Sequence, residues 1–253
     1  MARALSFTLS ICSSLFLFSQ PYLTWADHFG SLQDQIGVDI HWTPDGGLLS
    51  TGTFEVEIGF NANYQFEALG ERDVYVLKQN QNGGIMWAKH FGSSGDEEVR
   101  RIDVNDQGEI LLSIAFSDTL TIDSSEFVSR GLRDVLIMRL DYQGNVLHTY
   151  HIESGGDMEA VDMAWAEDGT YLAMFQHRVK CFYTVGDTQD SLLSNGARDM
   201  GIMRFSGSDS LLWTHSIGGV GPSDHGQAID TDGEGHYYIY GHFRETVDFD
   251  PWP

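Results

Sequence analysis

The chain reads as all-β, built from a unit of about 60 residues written nearly four times, and three observations predict it. The text Trp25-Ala26-Asp27-His28-Phe29-Gly30 returns as Trp87-Ala88-Lys89-His90-Phe91-Gly92, degenerately as His148-Thr149-Tyr150-His151-Ile152, and again as Trp213-Thr214-His215-Ser216-Ile217-Gly218. Arg72-Asp73, Arg133-Asp134 and Arg198-Asp199 each open an apolar run in the same phase. Asp45-Gly46, Gln107-Gly108, Asp168-Gly169 and Glu234-Gly235 each stand between two strand-like runs, with their glycines 62, 61 and 66 residues apart. No helical periodicity occurs inside the unit.

The elements follow in order. Each unit opens with a hairpin: residues 37–41 with 48–54, 99–104 with 109–116, 161–165 with 171–175, and 228–230 with 236–243. Turns of this kind need positive φ, which Asp-Gly supplies without steric cost. A third strand follows each Arg-Asp pair, over 74–77, 135–140 and 200–205. The fourth carries the tryptophan text and, in the second unit, is joined to the third at Gly144.

Four antiparallel strands in one unit form a small sheet that cannot bury both faces alone, so it stacks against its neighbours. Stacking around an axis makes a β-propeller of repeated four-stranded antiparallel blades, near 30–91, 92–152, 153–217 and a partial 218–253. Trp25, Trp87 and Trp213 are then wedges between adjacent sheets, each indole nitrogen needing a carbonyl or carboxylate partner. The ring is expected to be incomplete within these residues, the chain being a fragment of a longer protein or a partial ring completed by a partner chain.

A formal charge of −23 over 253 residues repels phosphate backbones, so nucleic acid and anionic membrane surfaces are poor partners and cations better ones. Residues 1–19 place Arg3 ahead of a short apolar run, the polarity of a secretory signal peptide, leaving 20–253 as the repeat domain. Cys12 falls in that segment. The mature chain would hold Cys181 alone, without a disulfide and without a transmembrane segment, and Cys181 beside Phe182 and Tyr183 is expected to be a small buried apolar residue.

The unit runs from tryptophan through Phe-Gly, an acidic residue, an apolar strand, Asp-Gly and a second strand to Gly241-His242-Phe243-Arg244-Glu245-Thr246-Val247-Asp248-Phe249-Asp250-Pro251. With Gly52-Thr53-Phe54, this text resembles the secreted bacterial β-propeller repeat proteins of the seven-bladed-propeller repeat type. The resemblance covers the chain from about Trp25 onward and implies a propeller with an exported, non-catalytic role; it brings no assigned active site. The third unit departs from it, with His177 where Phe54, Phe116 and Phe243 stand and His148 in place of tryptophan.

Asp34, Asp96, Asp157 and Asp224 form a column in the loops leading into each first strand. If those strands are innermost, the four carboxylates approach the axis and offer a metal site for calcium, which prefers several oxygens. The alternative is that each aspartate fixes its own loop. His28, His90 and His151 form another column, better explained by strand packing than by zinc, because equivalent positions on separate blades do not converge. No unit breaks the pattern with an activated nucleophile. The expected function is therefore an exported binding scaffold for a protein or glycan ligand at the cell surface or outside the cell, with calcium as the one possible cofactor. The alternative is a polysaccharide-acting hydrolase or lyase using the acidic column.

Overall fold

The structure, a computed structural model, describes residues 25–30, 33–247 and 249, so the expected signal segment lies outside the described residues. The protein is all-β, made of several small antiparallel sheets. The first stretch contains β1 (Gln35–Trp42), β2 (Leu48–Phe54), β3 (Glu57–Asn61), β4 (Tyr64–Glu67), β5 (Asp73–Gln79) and β6 (Ile85–Phe91). Strands β1-β2-β5-β6 make one four-stranded meander, while β3 and β4 form a hairpin apart from it.

The arrangement recurs. Next come β7 (Glu97–Val104), β8 (Ile110–Phe116), β9 (Thr119–Ile122), β10 (Ser125–Val128), β11 (Asp134–Leu140) and β12 (Val146–Ser154). They are followed by β13 (Met158–Trp165), β14 (Tyr171–His177), β15 (Cys181–Val185), β16 (Thr188–Leu192), β17 (Asp199–Phe205) and β18 (Leu211–Ile217). Strands β7-β8-β11-β12 and β13-β14-β17-β18 are again meanders, and β19 (His225–Thr231) pairs with β20 (Tyr237–His242).

The expected hairpins are present, and Gly46, Gly108, Gly169 and Gly235 all adopt positive φ at their turns. The sequence reading missed the outer hairpins β3–β4, β9–β10 and β15–β16 inserted between second and third strands. They are short, and their second strands are largely exposed, so apolar patterning is weak there. One of them changes a sheet. Through Glu153–Phe182 and Ser154–Cys181, β15 pairs with β12, so the second sheet gains β15 and β16 at its edge.

Stacking of the sheets explains why β2, β5, β8, β11, β14 and β17 are buried on both faces. In β8, Leu112, Ile114 and Phe116 pack with Val74 and Val76 of the first sheet, while Leu111 and Ala115 pack with Met163, Ala173 and Phe175 of the third. A further core joins Met174, Met200 and Ile202 to Ile229 of β19. Each of these three cores lies between one sheet and the next, and a fourth packs Phe54, Tyr75 and Leu77 of the first sheet against Ile58 and Phe60 of β3. Burying a side chain of this size contributes roughly 1.5–3 kcal/mol.

The tryptophans close the same seams from the edge. Trp87 lays its ring on the β11–β12 turn, 3.1 Å from where a Cβ on Gly144 would lie, and its Nε1 donates to Tyr142 O at 3.1 Å. Gly144 adopts φ +78°, so glycine is required there both for the turn and for the indole. Trp25 repeats the contact one sheet earlier, with Nε1 donating to Gln81 O at 3.2 Å. Trp213 packs against Tyr237 of β20, with ring centroids 5.5 Å apart.

Lys78 shows how a seam accommodates charge. It is fully buried in β5, and its Nζ donates to Thr43 Oγ1 at 2.5 Å and Asp45 Oδ1 at 2.8 Å, while Tyr142 from the next sheet donates to Asp45 Oδ2. Against the upward push of desolvation, the bonds from Lys78, Thr43 and Tyr142 hold Asp45 well below the usual carboxylate range.

Candidate functional site

The four first strands, β1, β7, β13 and β19, lie side by side in that order. Each carries a register irregularity at the same place: between Gly37 and Asp39, Val99 and Ile102, Ala160 and Asp162, and Gly226 and Ala228. A bulge leaves a residue unpaired and re-aims its side chain. The residues so placed are Val38, Arg100 with Arg101, Val161 and Gln227, and all of them line one pocket of about 460 Å3. Glu159, Gln176, His225 and His242 complete its polar wall.

Framework carboxylates hold these strands together. Asp39 takes the N–H of its neighbour Ile40 on Oδ1 at 2.9 Å and that of Ile102, in the next sheet, on Oδ2 at 3.1 Å. Asp162 does the same for Met163 and Ile229, both at 2.9 Å. The equivalent residue of β7 is Arg101, which cannot accept a bond. There Asp103 takes over, two residues along, accepting from Val104 and from Trp165, both at 2.8 Å.

The wall beside the pocket is an ion-pair network. Arg133 donates to Asp157 through Nε at 2.8 Å and to Glu98 through Nη1 at 2.8 Å. Arg198, almost fully buried, donates to Glu159 at 2.5 Å, Gln176 Oε1 at 3.1 Å and Asp157 Oδ2 at 3.4 Å. The Gln176 oxygen also accepts from His225 Nδ1 at 3.1 Å, and the His225 ring stacks on His242 with centroids 4.7 Å apart. Desolvation, reinforced by the neighbouring His242 and Arg198 charges, lowers the His225 pKa.

The aspartate column is dispersed into loop and ion-pair roles. Asp34 is exposed, and its carbonyl accepts from Glu55 N at 3.0 Å. Asp96 is gripped by Arg72 through Nε and Nη2, both at 2.7 Å. Asp157 is shared by Arg133 and Arg198, and although desolvation opposes them, the Arg133 bonds and both cations keep its pKa low. Asp224 is out of register with the other three. Its N–H donates to Arg198 O as those of Glu97 and Met158 donate to Arg72 O and Arg133 O, which makes Ser223 the counterpart of Asp96 and Asp157. Its carboxylate is fully buried, accepting from Gly219 N at 2.9 Å and Arg244 N at 2.8 Å. With no carboxylate at 223, Arg198 turns back to Asp157 and Glu159. Among the described residues, no group of three His, Cys, Asp or Glu is placed to hold a metal ion.

Two members of the histidine column, His90 and His151, belong to the sheets, whereas His28 is exposed and lies in no strand. His90 Nε2 bonds the fully buried Asp73, and His151 Nε2 donates to the equally buried Asp134 at 3.0 Å. Their rings pack on Phe54 and Phe116, with centroids 5.4 and 5.5 Å apart. In the third unit the histidine stands on a different strand: His177 occupies the phenylalanine place and its Nε2 accepts from Ser216, which occupies the histidine place, at 3.1 Å. Burial lowers the His177 pKa. Cys181 is fully buried, and desolvation pushes its thiol up to about 12.

Sequence reasoning overlooked Arg100 and Arg101. The signal was available, since Arg-Arg stands where Val38-Asp39 and Val161-Asp162 stand in the neighbouring units. No protein-family model matches the chain, and no curated protein matches it.

Proposed function

We propose that the chain is an exported β-propeller that works as a rigid, non-catalytic scaffold, taking a protein or glycan ligand at the pocket between its first strands. Three successive four-stranded meanders stacked face to face, with the first strands adjacent, favour the propeller reading. The observation that carries the function is a contrast between two columns on the same strands. The carboxylate that binds the next strand recurs at every seam, whereas the bulge residue beside it changes from Val38 to Arg100 to Val161 to Gln227. Conserving the support while varying the displayed group is what a binding surface on a repeated frame requires.

The likeness to secreted bacterial repeat proteins and the N-terminal apolar run together favour export to the cell surface or the medium. No helix among the described residues is long and apolar enough to cross a membrane. Calcium belongs to this proposal only as a stabilising ion and not at the dispersed aspartate column, and a rise in Tm on adding calcium, reversed by chelator, is its test.

The function is tested by capture from envelope and matrix extracts with the wild-type chain and with Gln227→Arg, a change at the exposed bulge of β19. Selective capture that is lost or altered in the variant, with unchanged Tm, supports the reading. Capture of no glycan or protein component by a folded preparation overturns it.

A further inference from the structure

We propose that the pocket between the first strands recognises a carboxylate-bearing sugar, with the Arg101 guanidinium as the carboxylate receptor and Arg100 beside it. This rests on the scaffold reading above and adds the ligand class.

Arg101 is the place where the frame is interrupted. Asp39 and Asp162 hold the two flanking seams from this position, and β7 transfers the same task to Asp103. The substitution therefore sets a guanidinium free of framework duty at the centre of the four strands. Departures from a repeated local rule concentrate where a site is built.

The guanidinium also has unused donors. Its nearest carboxylates are Asp39 at 3.7 Å and Asp162 at 3.8 Å, beyond hydrogen-bond reach, and each of those carboxylates already accepts two backbone N–H groups. They hold the guanidinium in place and offset part of its charge, yet leave the N–H groups of its fork without a hydrogen-bond acceptor among the described residues. The Arg101 side chain is 44% exposed and lines the pocket. Arg100 is 51% exposed and holds Glu98 at 3.0 Å through Nη2. A planar guanidinium with free N–H groups matches a carboxylate in a two-bond fork.

The rest of the wall selects a sugar over a peptide. Gln227 and the stacked pair of His225 and His242 offer polar groups and a flat ring surface suited to hydroxyls and a pyranose face. The apolar lining is limited to small groups such as Val38 and Val161, whereas a protein partner needs a buried aromatic or aliphatic anchor. A pocket of about 460 Å3 is of a size for one or two sugar rings.

The test is calorimetric titration of the full chain with a glucuronate-containing disaccharide, its neutral methyl ester, and an acidic tetrapeptide. The acid is expected to bind at least about tenfold more tightly than the ester, the difference made by charge-assisted bonds. Arg101→Gln is expected to remove that preference, while Arg130→Gln, at an exposed arginine stacked on Phe182, leaves it intact. The comparison of acid with ester uses the wild-type chain and stands even if a variant folds poorly. Equal binding of acid and ester overturns the inference while leaving a glycan scaffold in place. Preference for the tetrapeptide overturns the sugar class, and absence of binding by all three probes overturns the inference outright, the scaffold itself being judged by the capture experiment.

Discussion

Asp103 accepts the N–H of Trp165 at 2.8 Å, two residues further along its strand than Asp39 with Ile102 or Asp162 with Ile229. The shift shows that the seam between the second and third sheets keeps its clasp after losing the residue that would ordinarily make it. A carboxylate whose two oxygens each take a backbone N–H, one from its own strand and one from the next, fixes the spacing of neighbouring first strands.

Removing such a clasp leaves buried donors unpaired. Asp162→Ala is expected to destabilise the chain by about 1–3 kcal/mol, the cost of unsatisfied buried groups, read as a lower urea midpoint. Desolvation already raises the Asp162 pKa against its backbone bonds, so Asp162→Asn, which retains one acceptor, should cost less than alanine.

Glu97 makes stability depend on pH. It is fully buried, and desolvation, opposed by the Ser93 bonds and aided by Asp73 and Asp96, raises its pKa from 4.5 to about 7. The geometry agrees with a protonated acid. Ser93 Oγ has one hydrogen yet lies 2.7 Å from Glu97 Oε1 and 2.9 Å from Ser117 O, and a proton on Glu97 lets both contacts be hydrogen bonds. The folded state keeps a proton that the unfolded chain releases near 4.5, so this stability is complete below 4.5 and is lost as pH rises toward and through 7. The loss is on the order of 3 kcal/mol. Glu97→Gln, whose amide can satisfy Ser93 in the same sense, should flatten the dependence of Tm on pH between 4.5 and 8. A wild-type profile that rises over this interval contradicts the assignment.

Asp157 and Asp34 should behave differently despite sharing a sequence column. Asp157→Asn removes the charge shared by Arg133 and Arg198 beside the pocket wall, with an expected cost of about 1.5–3 kcal/mol, the range for hydrogen bonds to charged groups at this half-buried site. Asp34→Asn, at an exposed carboxylate, should stay within about 0.5 kcal/mol. Urea unfolding of the two variants checks the contrast, which disappears if the column acts as one unit.

Cys181, buried with its thiol pushed up to about 12, should not react with a disulfide reagent at pH 8 in the folded chain. Modification should follow the opening of the structure and accelerate with urea. Rapid stoichiometric labelling of native protein is the contrary result.

Much of the fold was legible because its determinants are local and repeated. The second strand expected over 48–54 is Leu48–Phe54, and the indole of Trp87 finds the carbonyl its burial demands at Tyr142. The outer hairpins were not legible, since short strands such as Ser125–Val128 bury too little to carry an alternating signal. The Asp224 register was misread because the preceding loop is one residue longer: Gly219 N reaches a carboxylate five residues on, where Ser93 N reaches Glu97 four residues on.

The amino-acid order by itself determined that strands form, where they turn and which faces are apolar, because hydrophobic period and turn chemistry act over a few residues. Only the tertiary structure decided which carboxylates are spent on arginines, which clasp a neighbouring strand and which guanidinium is left to face the pocket. Those outcomes depend on distances between residues some 60 positions apart, such as Asp103 and Trp165, where a bulge or a single added loop residue changes the partner while leaving the local pattern unaltered.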